Sequence, residues 1–280
     1  MDKLTDISVI KKLMARHNFT FSKSLGQNFL VNPTVCPRMA EAVCEGGGVI
    51  EIGPGFGVLT NELCKRAERV AAIELDRRLL PVLSETLSEF DNAEIINADV
   101  LKTDLRALIE EKFGQMPVNI AGNLPYYITS PIIMGILEQR LPVGCMVAMV
   151  QKEAAERICA RPGARECGAV SAAVWYYSEP EILFRVSRGS FMPPPKVDSA
   201  VIRLNIRKSP PVVIKNEKAF FSLIKSGFSQ RRKTLANSIA NTTGRKKEEI
   251  YAAMGKSGID KNARAEQLSL EDWARLTETL

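Results

Sequence analysis

The sequence predicts an α/β fold followed by a small all-helical domain, and three observations predict it. Short β-rich runs alternate with helical stretches from Val49 to Val150. Beyond the Ser209-Pro210-Pro211 break, every apolar stretch has helical spacing. The chain is also long enough, at 280 residues with 45% hydrophobic and 25% charged, to bury a core and form two domains.

The strands are expected at Val49–Ile52, Val70–Glu74, Glu94–Asn97, Val118–Ala121 and Cys145–Val150, each rich in β-branched residues and bounded by glycine, proline or charge. Helices Leu59–Arg66 and Arg77–Ser88 lie between the early ones. Strand alternating with helix requires crossover connections, and hence a parallel sheet covered on both faces. After Trp175 the pattern changes to two strands, Glu181–Val186 and Val197–Ile206, joined through Pro193-Pro194-Pro195, which would close the sheet with an antiparallel edge. Helices are then expected at Lys218–Ser229, Arg231–Ala240, Lys246–Met254 and Leu270–Leu280. This places a domain of residues 1–207, with a basic N-terminal extension, before a helical domain of residues 208–280.

Composition excludes several classes. No apolar run approaches the ~18 residues of a membrane span; the longest, Val143–Val150, is interrupted by Gly144. The six cysteines form no C-x-x-C pair and read as reduced thiols, which points to the cytoplasm. Met1–His17 has amphipathic helical spacing, but Asp2 and Asp6 are out of place in a transit peptide. His17 is the one histidine, so histidine metal sites and Ser–His–Asp catalysis are excluded, and no metal is expected. It reads as a surface residue. The net charge of +6 is uneven: +4 before Met39, −4 from Met39 to Arg207, and +6 beyond. Basic ends on an acidic middle suit a catalytic domain with polyanion-gripping extensions, although solvated helix faces would look the same.

The first strand runs into Glu51-Ile52-Gly53-Pro54-Gly55-Phe56-Gly57, a glycine-rich strand-to-helix turn that lets backbone approach a ligand. The third glycine comes one position too early for the dinucleotide fingerprint, and no Lys-Ser/Thr pair follows, so pyrophosphate and Walker-type sites are disfavoured. Glu74, 21 residues past Gly53, ends the second strand, where a carboxylate can accept both hydroxyls of a ribose. Asp99 follows the third strand, where an adenine amine would find an acceptor. Singly, each acid reads equally well as a helix cap or turn residue. Together, at successive strand ends, they point to an adenosine cofactor without phosphates, S-adenosylmethionine.

The fourth strand ends in Asn123-Leu124-Pro125-Tyr126. An exocyclic amine on an aromatic base is a poor nucleophile, because its lone pair is delocalised into the ring. If the Asn123 carboxamide oxygen and the Leu124 carbonyl each accept one amine hydrogen, the nitrogen is drawn toward tetrahedral geometry. Pro125 locks the loop and removes a competing N–H. Tyr126 can stack on the base, a contact worth roughly 1–3 kcal/mol. Displacement at the methyl then needs alignment more than a strong base.

Asn123–Tyr126 resembles the signature of adenine amino-methyltransferases, and Glu51–Gly57 their first cofactor motif. Lys23-Ser24-Leu25-Gly26-Gln27-Asn28-Phe29-Leu30, Phe191–Val201 and Gln230–Leu235 are similar to motifs of the ribosomal RNA adenine dimethyltransferases, and the likeness covers Lys23 to about Leu268. It implies a Rossmann-like S-adenosylmethionine-dependent methyltransferase domain. Asn28 and Leu30 would then line the cofactor pocket with Glu51, Gly53, Gly55, Glu74, Asp99 and Asn123. Tyr126 and Phe191 would sandwich the flipped adenine, with core packing the alternative for Phe191.

Two branches of that family differ in target. The Leu25-Gly26 pair, Leu124 and the Pro193–Ala200 run resemble the small-subunit branch, which dimethylates two adjacent adenosines in the 3′-terminal hairpin of the small-subunit RNA. The alternatives are a large-subunit dimethyltransferase conferring macrolide resistance, and a non-catalytic ribosome assembly factor. The implied partner is small-subunit ribosomal RNA within an immature ribosomal particle, bound by a monomer. Lys225, Arg231, Arg232 and Lys233 are the candidate phosphate contacts, favoured over Arg245–Lys247, where Glu248 and Glu249 follow at once.

Overall fold

Residues 4–22, 26–43 and 46–280 are described by the structure, a computed structural model. Met1–Lys3 of the expected N-terminal helix, Lys23, Ser24 and Leu25 of the N-terminal box, and Cys44 lie outside them. The chain divides into two units, Met1–Ala155 with Glu181–Ile206, and Glu156–Pro180 with Arg207–Leu280.

In the first unit α1 (Ile7–Arg16) starts where the Asp6 carboxylate accepts the Ser8 amide at 2.7 Å. After the short strand β1 (Phe29–Leu30) come α2 (Val35–Val43), β2 (Gly48–Ile52), α3 (Val58–Cys64), β3 (Arg69–Glu74), α4 (Leu80–Thr86) and β4 (Ala93–Asn97). Then follow α5 (Leu105–Phe113), β5 (Val118–Asn123), α6 (Thr129–Glu138), β6 (Val143–Gln151) and α7 (Lys152–Cys159), within which the chain leaves this unit. Beyond α8 (Ala169–Tyr177), β7 (Ser178–Val186) brings it back, and β8 (Phe191–Met192) and β9 (Ser199–Ile206) complete the strands.

Among the described residues one seven-stranded sheet has the order β4-β3-β2-β5-β6-β9-β7. All five residues of β2 are buried, as a central parallel strand covered on both faces must be. α2 and α3 share one apolar cluster with β2 and β6 through Met39, Leu63, Val49 and Val147. α1 shares another with α4, through Ile10, Leu13, Val82 and Leu83. The chain winds outward from β2 to β4 and returns on the other side at β5. The carboxyl ends of β2 and β5 therefore flank a topological switch point, where open α/β sheets bind ligands. The register sets Ile52 beside Ile73 and Gly122, so Gly53, Glu74 and Asn123 emerge at one edge.

The antiparallel edge expected from the sequence is present: β9 runs against β6 with Ser199 opposite Gln151, and β7 lies beyond it. β1 and β8 were too short to be seen in the sequence, and pair Leu30 with Phe191.

The second unit adds α9 (Glu217–Gly227), α10 (Leu235–Thr243), α11 (Lys247–Lys256) and α12 (Leu270–Thr279). Its core includes Phe220, Ile224, Leu235, Ile250 and Trp273. The boundary expected at 207/208 falls one residue earlier, and Glu156–Pro180, left in the first domain by the sequence reading, belongs here. Ala172 and Tyr176 of α8 are buried in this helical core, and no Pro-Pro break like that at 210 marks the departure at Glu156. Arg231–Lys233 precede α10 in a turn, where the sequence placed them at the start of a helix.

Candidate active site

The strand ends at the switch point open into a cavity lined by Asn28, Leu30, Glu51, Gly53, Gly55, Glu74, Asp99, Asn123, Leu124, Pro125 and Tyr126. All of the cofactor candidates and the whole Asn-Leu-Pro-Tyr loop are thus brought together. Among the described lining residues are three carboxylates and no lysine or arginine. Such a wall offers carboxyl oxygens to a cation and no cation to a phosphate.

Glu51 is 1% exposed near the end of β2, and its Oε2 has no hydrogen-bond partner among the described residues. Burial pushes its carboxyl up to about 8, with the neighbouring Glu74 charge acting in the same direction. Glu74 is raised as well, mainly by burial, although its oxygens accept the amides of Asp76 at 2.8 Å and Gly55 at 3.2 Å. Asp99 stands two residues past β4, where it accepts the Leu101 amide at 3.0 Å while lining the cavity, so turn residue and cavity wall are one group.

The glycines of the first turn serve different ends. Gly53 has φ +71°, and a Cβ there would meet nothing within 4 Å, so it faces open space in the cavity. Gly55 also has positive φ, but its Cβ would stand 2.7 Å from the Phe29 ring. It makes room for an aromatic group, in which the Phe29 and Phe56 centroids lie 4.4 Å apart and Phe19 packs against both.

Phe19 and Phe29 of that group belong to an N-terminal strap whose residues 26–30 line the cavity, and Phe56 belongs to the turn itself. Gln27 receives the Ser22 amide at 2.8 Å and donates to Asp76 at 2.9 Å. Asp76 also accepts two bonds from the Arg78 guanidinium, which together with Gln27 hold its carboxyl below the usual range. His17 is not a simple surface residue: its side chain is largely buried and its Nε2 lies 2.7 Å from Glu85, which also pairs with Arg16.

Asn123 ends β5 and is half-buried. Its Nδ2 donates to the Asn28 carbonyl at 3.2 Å, which fixes the amide plane and leaves Oδ1 without a hydrogen-bond partner among the described residues. The Leu124 amide donates to Met149 across the sheet at 3.1 Å, anchoring the loop. Tyr126 follows Pro125 in a short 3₁₀ turn, and its hydroxyl lies 2.7 Å from Ser199 Oγ. Phe191 is not part of this wall. It is 3% exposed in the core cluster with Leu30, Met39 and Val201, so the packing alternative holds for it.

Residues the sequence reading missed include Leu75, half exposed directly after Glu74, and Val100, directly after Asp99. The available signal was an apolar residue following each strand-end acid. Cys36 also lines the cavity, but burial raises its thiol well above the ordinary value, and it raises Cys64 to about 12. Neither is a thiolate nucleophile. Among the described residues no group of His, Cys, Asp and Glu could hold a metal ion.

In the second unit Arg231 donates to the Arg165 carbonyl at 3.3 Å, which joins the Arg231–Lys233 turn to a second exposed basic segment carrying Arg161 and Arg165.

The family model of ribosomal RNA adenine dimethylases matches residues 18–280. The chain belongs to that family. Curated relatives of this dimethylase chain named ribosomal RNA small subunit methyltransferase A include one from Geobacillus thermodenitrificans, 47% identical over 96% of this chain and 94% of its own. Another, from Clostridioides difficile, is 44% identical over all of this chain and 98% of its own. Among solved structures, a dimethyladenosine transferase from Plasmodium falciparum superposes with a TM-score of 0.70 at 26% identity, covering 89% of this chain and 95% of that one. The 23S rRNA methyltransferase ErmE gives 0.69 at 30% identity, covering 90% and 99%.

Proposed function

We propose that this member of the adenine dimethylase family transfers methyl groups from S-adenosylmethionine to the exocyclic amines of two adjacent adenosines in the 3′-terminal hairpin of small-subunit ribosomal RNA. The observation that carries the reading is a cavity walled by acids and lined by an asparagine whose amide oxygen has no hydrogen-bond partner among the described residues. Sequence distance favours the small subunit: the two relatives above that are named for it are 47% and 44% identical, against 30% for the 23S enzyme.

The cavity fits the cofactor. The unpartnered Glu51 oxygen and the open space at Gly53 suit its ammonium-bearing end, and no basic side chain among the described lining residues asks for a phosphate. Glu51, Gly53 and Asn28 would hold that end, Glu74 the ribose, and Asp99 with Leu75 and Val100 the adenine. Gly55 and Leu30 support this wall through packing. When bound, S-adenosylmethionine supplies an electrophilic methyl on a sulfonium.

The chain's own residues activate the acceptor. In the first transfer Asn123 Oδ1 and the Leu124 carbonyl each take one hydrogen bond from the adenine amine, which localises the nitrogen lone pair and aims it into the cavity. The nitrogen–methyl bond forms as the sulfonium–methyl bond breaks, and the displaced proton passes to water. In the second transfer the one remaining N–H is held by one of the two acceptors. Pro125 keeps the second carbonyl in place, and Tyr126 stacks on the base. The target base must first leave its stack, at a cost of a few kcal/mol that an incompletely assembled particle lowers. Lys225, Arg231, Arg232 and Lys233 grip phosphates, with Arg161 and Arg165 beside Arg231. The enzyme acts as a monomer in the cytoplasm on an immature small-subunit particle; no helix of the described residues is long and apolar enough to cross a membrane.

The test is transfer of labelled methyl from S-adenosylmethionine to immature small-subunit particles, with dimethyladenosine as the expected product. Transfer instead to protein-free large-subunit RNA would move the chain to the other branch, and no transfer to either would leave an assembly factor.

A further inference from the structure

Ser199 opens β9 and is 0% exposed, yet its hydroxyl lies 2.7 Å from that of Tyr126, 73 residues earlier in the chain. Its position is rigid. β9 pairs with β6 through Ser199 and Gln151, and the residue before it is tied twice: the Asp198 carbonyl accepts the Lys152 amide at 3.0 Å, and its carboxylate the Arg188 amide at 2.9 Å. Tyr126, by contrast, sits in a three-residue turn and is half-buried with its ring on the cavity wall. A tyrosine ring is placed by two torsions, and a bond at the far end of the ring restrains both. A surface that must receive a flipped base again after the first methyl has been added needs such restraint.

We infer that Ser199 is the positioning residue for Tyr126, holding the ring from behind so that its face meets the target adenine in one orientation. This rests on the reading that Tyr126 stacks on that base. Burial raises the Tyr126 phenol above its ordinary value, so it remains protonated and able to share the bond.

The experiment compares Tyr126→Phe, Ser199→Ala, the double variant, Ser199→Thr and Tyr126→Ala, using S-adenosylmethionine and immature small-subunit particles. Tyr126→Phe keeps the ring and removes only the tether, so the outcome does not depend on how well Ser199→Ala folds. Each tether variant should bind S-adenosylmethionine within about twofold of wild type by calorimetry, since neither hydroxyl is assigned to the cofactor. Each should lose about tenfold in kcat and accumulate monomethyladenosine. The double variant should be no worse than either single one, and Ser199→Thr should restore the dimethyl product. A role in packing alone would not move the ratio of mono- to dimethyl product. Wild-type kcat and product ratio in Tyr126→Phe, with Tyr126→Ala inactive, would overturn the tether and leave the stacking role standing. An active Tyr126→Ala would overturn both.

Discussion

Among the described residues only one end of the Asn123 amide is occupied. With Nδ2 given to the Asn28 carbonyl, the oxygen serves the proposed reaction as a preorganised acceptor for the adenine amine. Asn123→Ala should therefore keep S-adenosylmethionine affinity within about tenfold, ~1.4 kcal/mol, while kcat falls by a factor on the order of 10²–10³. Calorimetry and single-turnover transfer separate the two; equal turnover would reject the amine-gripping role. Glu51 makes a different prediction. Its carboxyl is raised from 4.5 to about 8 in the folded chain, so between those values the native state keeps a proton that the unfolded chain has released. Stability should fall as pH rises through that window, by up to ~1.4 kcal/mol per unit from this group, with no further change below 4.5 or above 8. Glu51→Gln should remove that component, so urea unfolding of both proteins from pH 5 to pH 9 should show the variant gaining on the wild type as pH increases.

At the scale of elements, the turn from β2 into α3 separates a glycine open to the cavity from one that packs on an aromatic ring within three residues. Gly55→Ala would drive a Cβ into Phe29 and force a non-glycine residue to φ +61°, costing on the order of 2 kcal/mol. A melting temperature lower by roughly 4–8 °C is expected in calorimetry. Gly53→Ala meets no atom and bears only the cost of its positive φ, but its methyl enters the cavity. It should lose more cofactor affinity than stability, the reverse of Gly55→Ala. The glycine spacing could be read in sequence, whereas the assignment of one glycine to ligand and the other to aromatic packing could not, because Phe29 comes from a strap 26 residues away.

Across the whole molecule, charge is divided between the two units. The cavity of the first unit is acidic, and the candidate RNA contacts lie in the second, where the Arg231–Lys233 turn is bonded to the segment carrying Arg161 and Arg165. Replacing Arg231, Arg232 and Lys233 with alanine should weaken RNA binding and reduce the slope of log affinity against log salt by about two. A filter-binding series across salt concentrations measures it, and an unchanged slope would return these residues to ordinary solvated surface.

The sequence by itself determined the parallel strands, the glycine turn, the strand-end acids and the Asn-Leu-Pro-Tyr loop, because these are written in local spacing: period-two apolar runs, turn chemistry, and residues that follow a strand end directly. Only the tertiary structure decided that Phe191 packs in the core, that His17 meets Glu85, that Glu156–Pro180 belongs to the helical unit, and that Ser199 reaches Tyr126. Those facts depend on which distant segments share a burial environment. Chain closure over tens of residues sets that, and no local pattern encodes it.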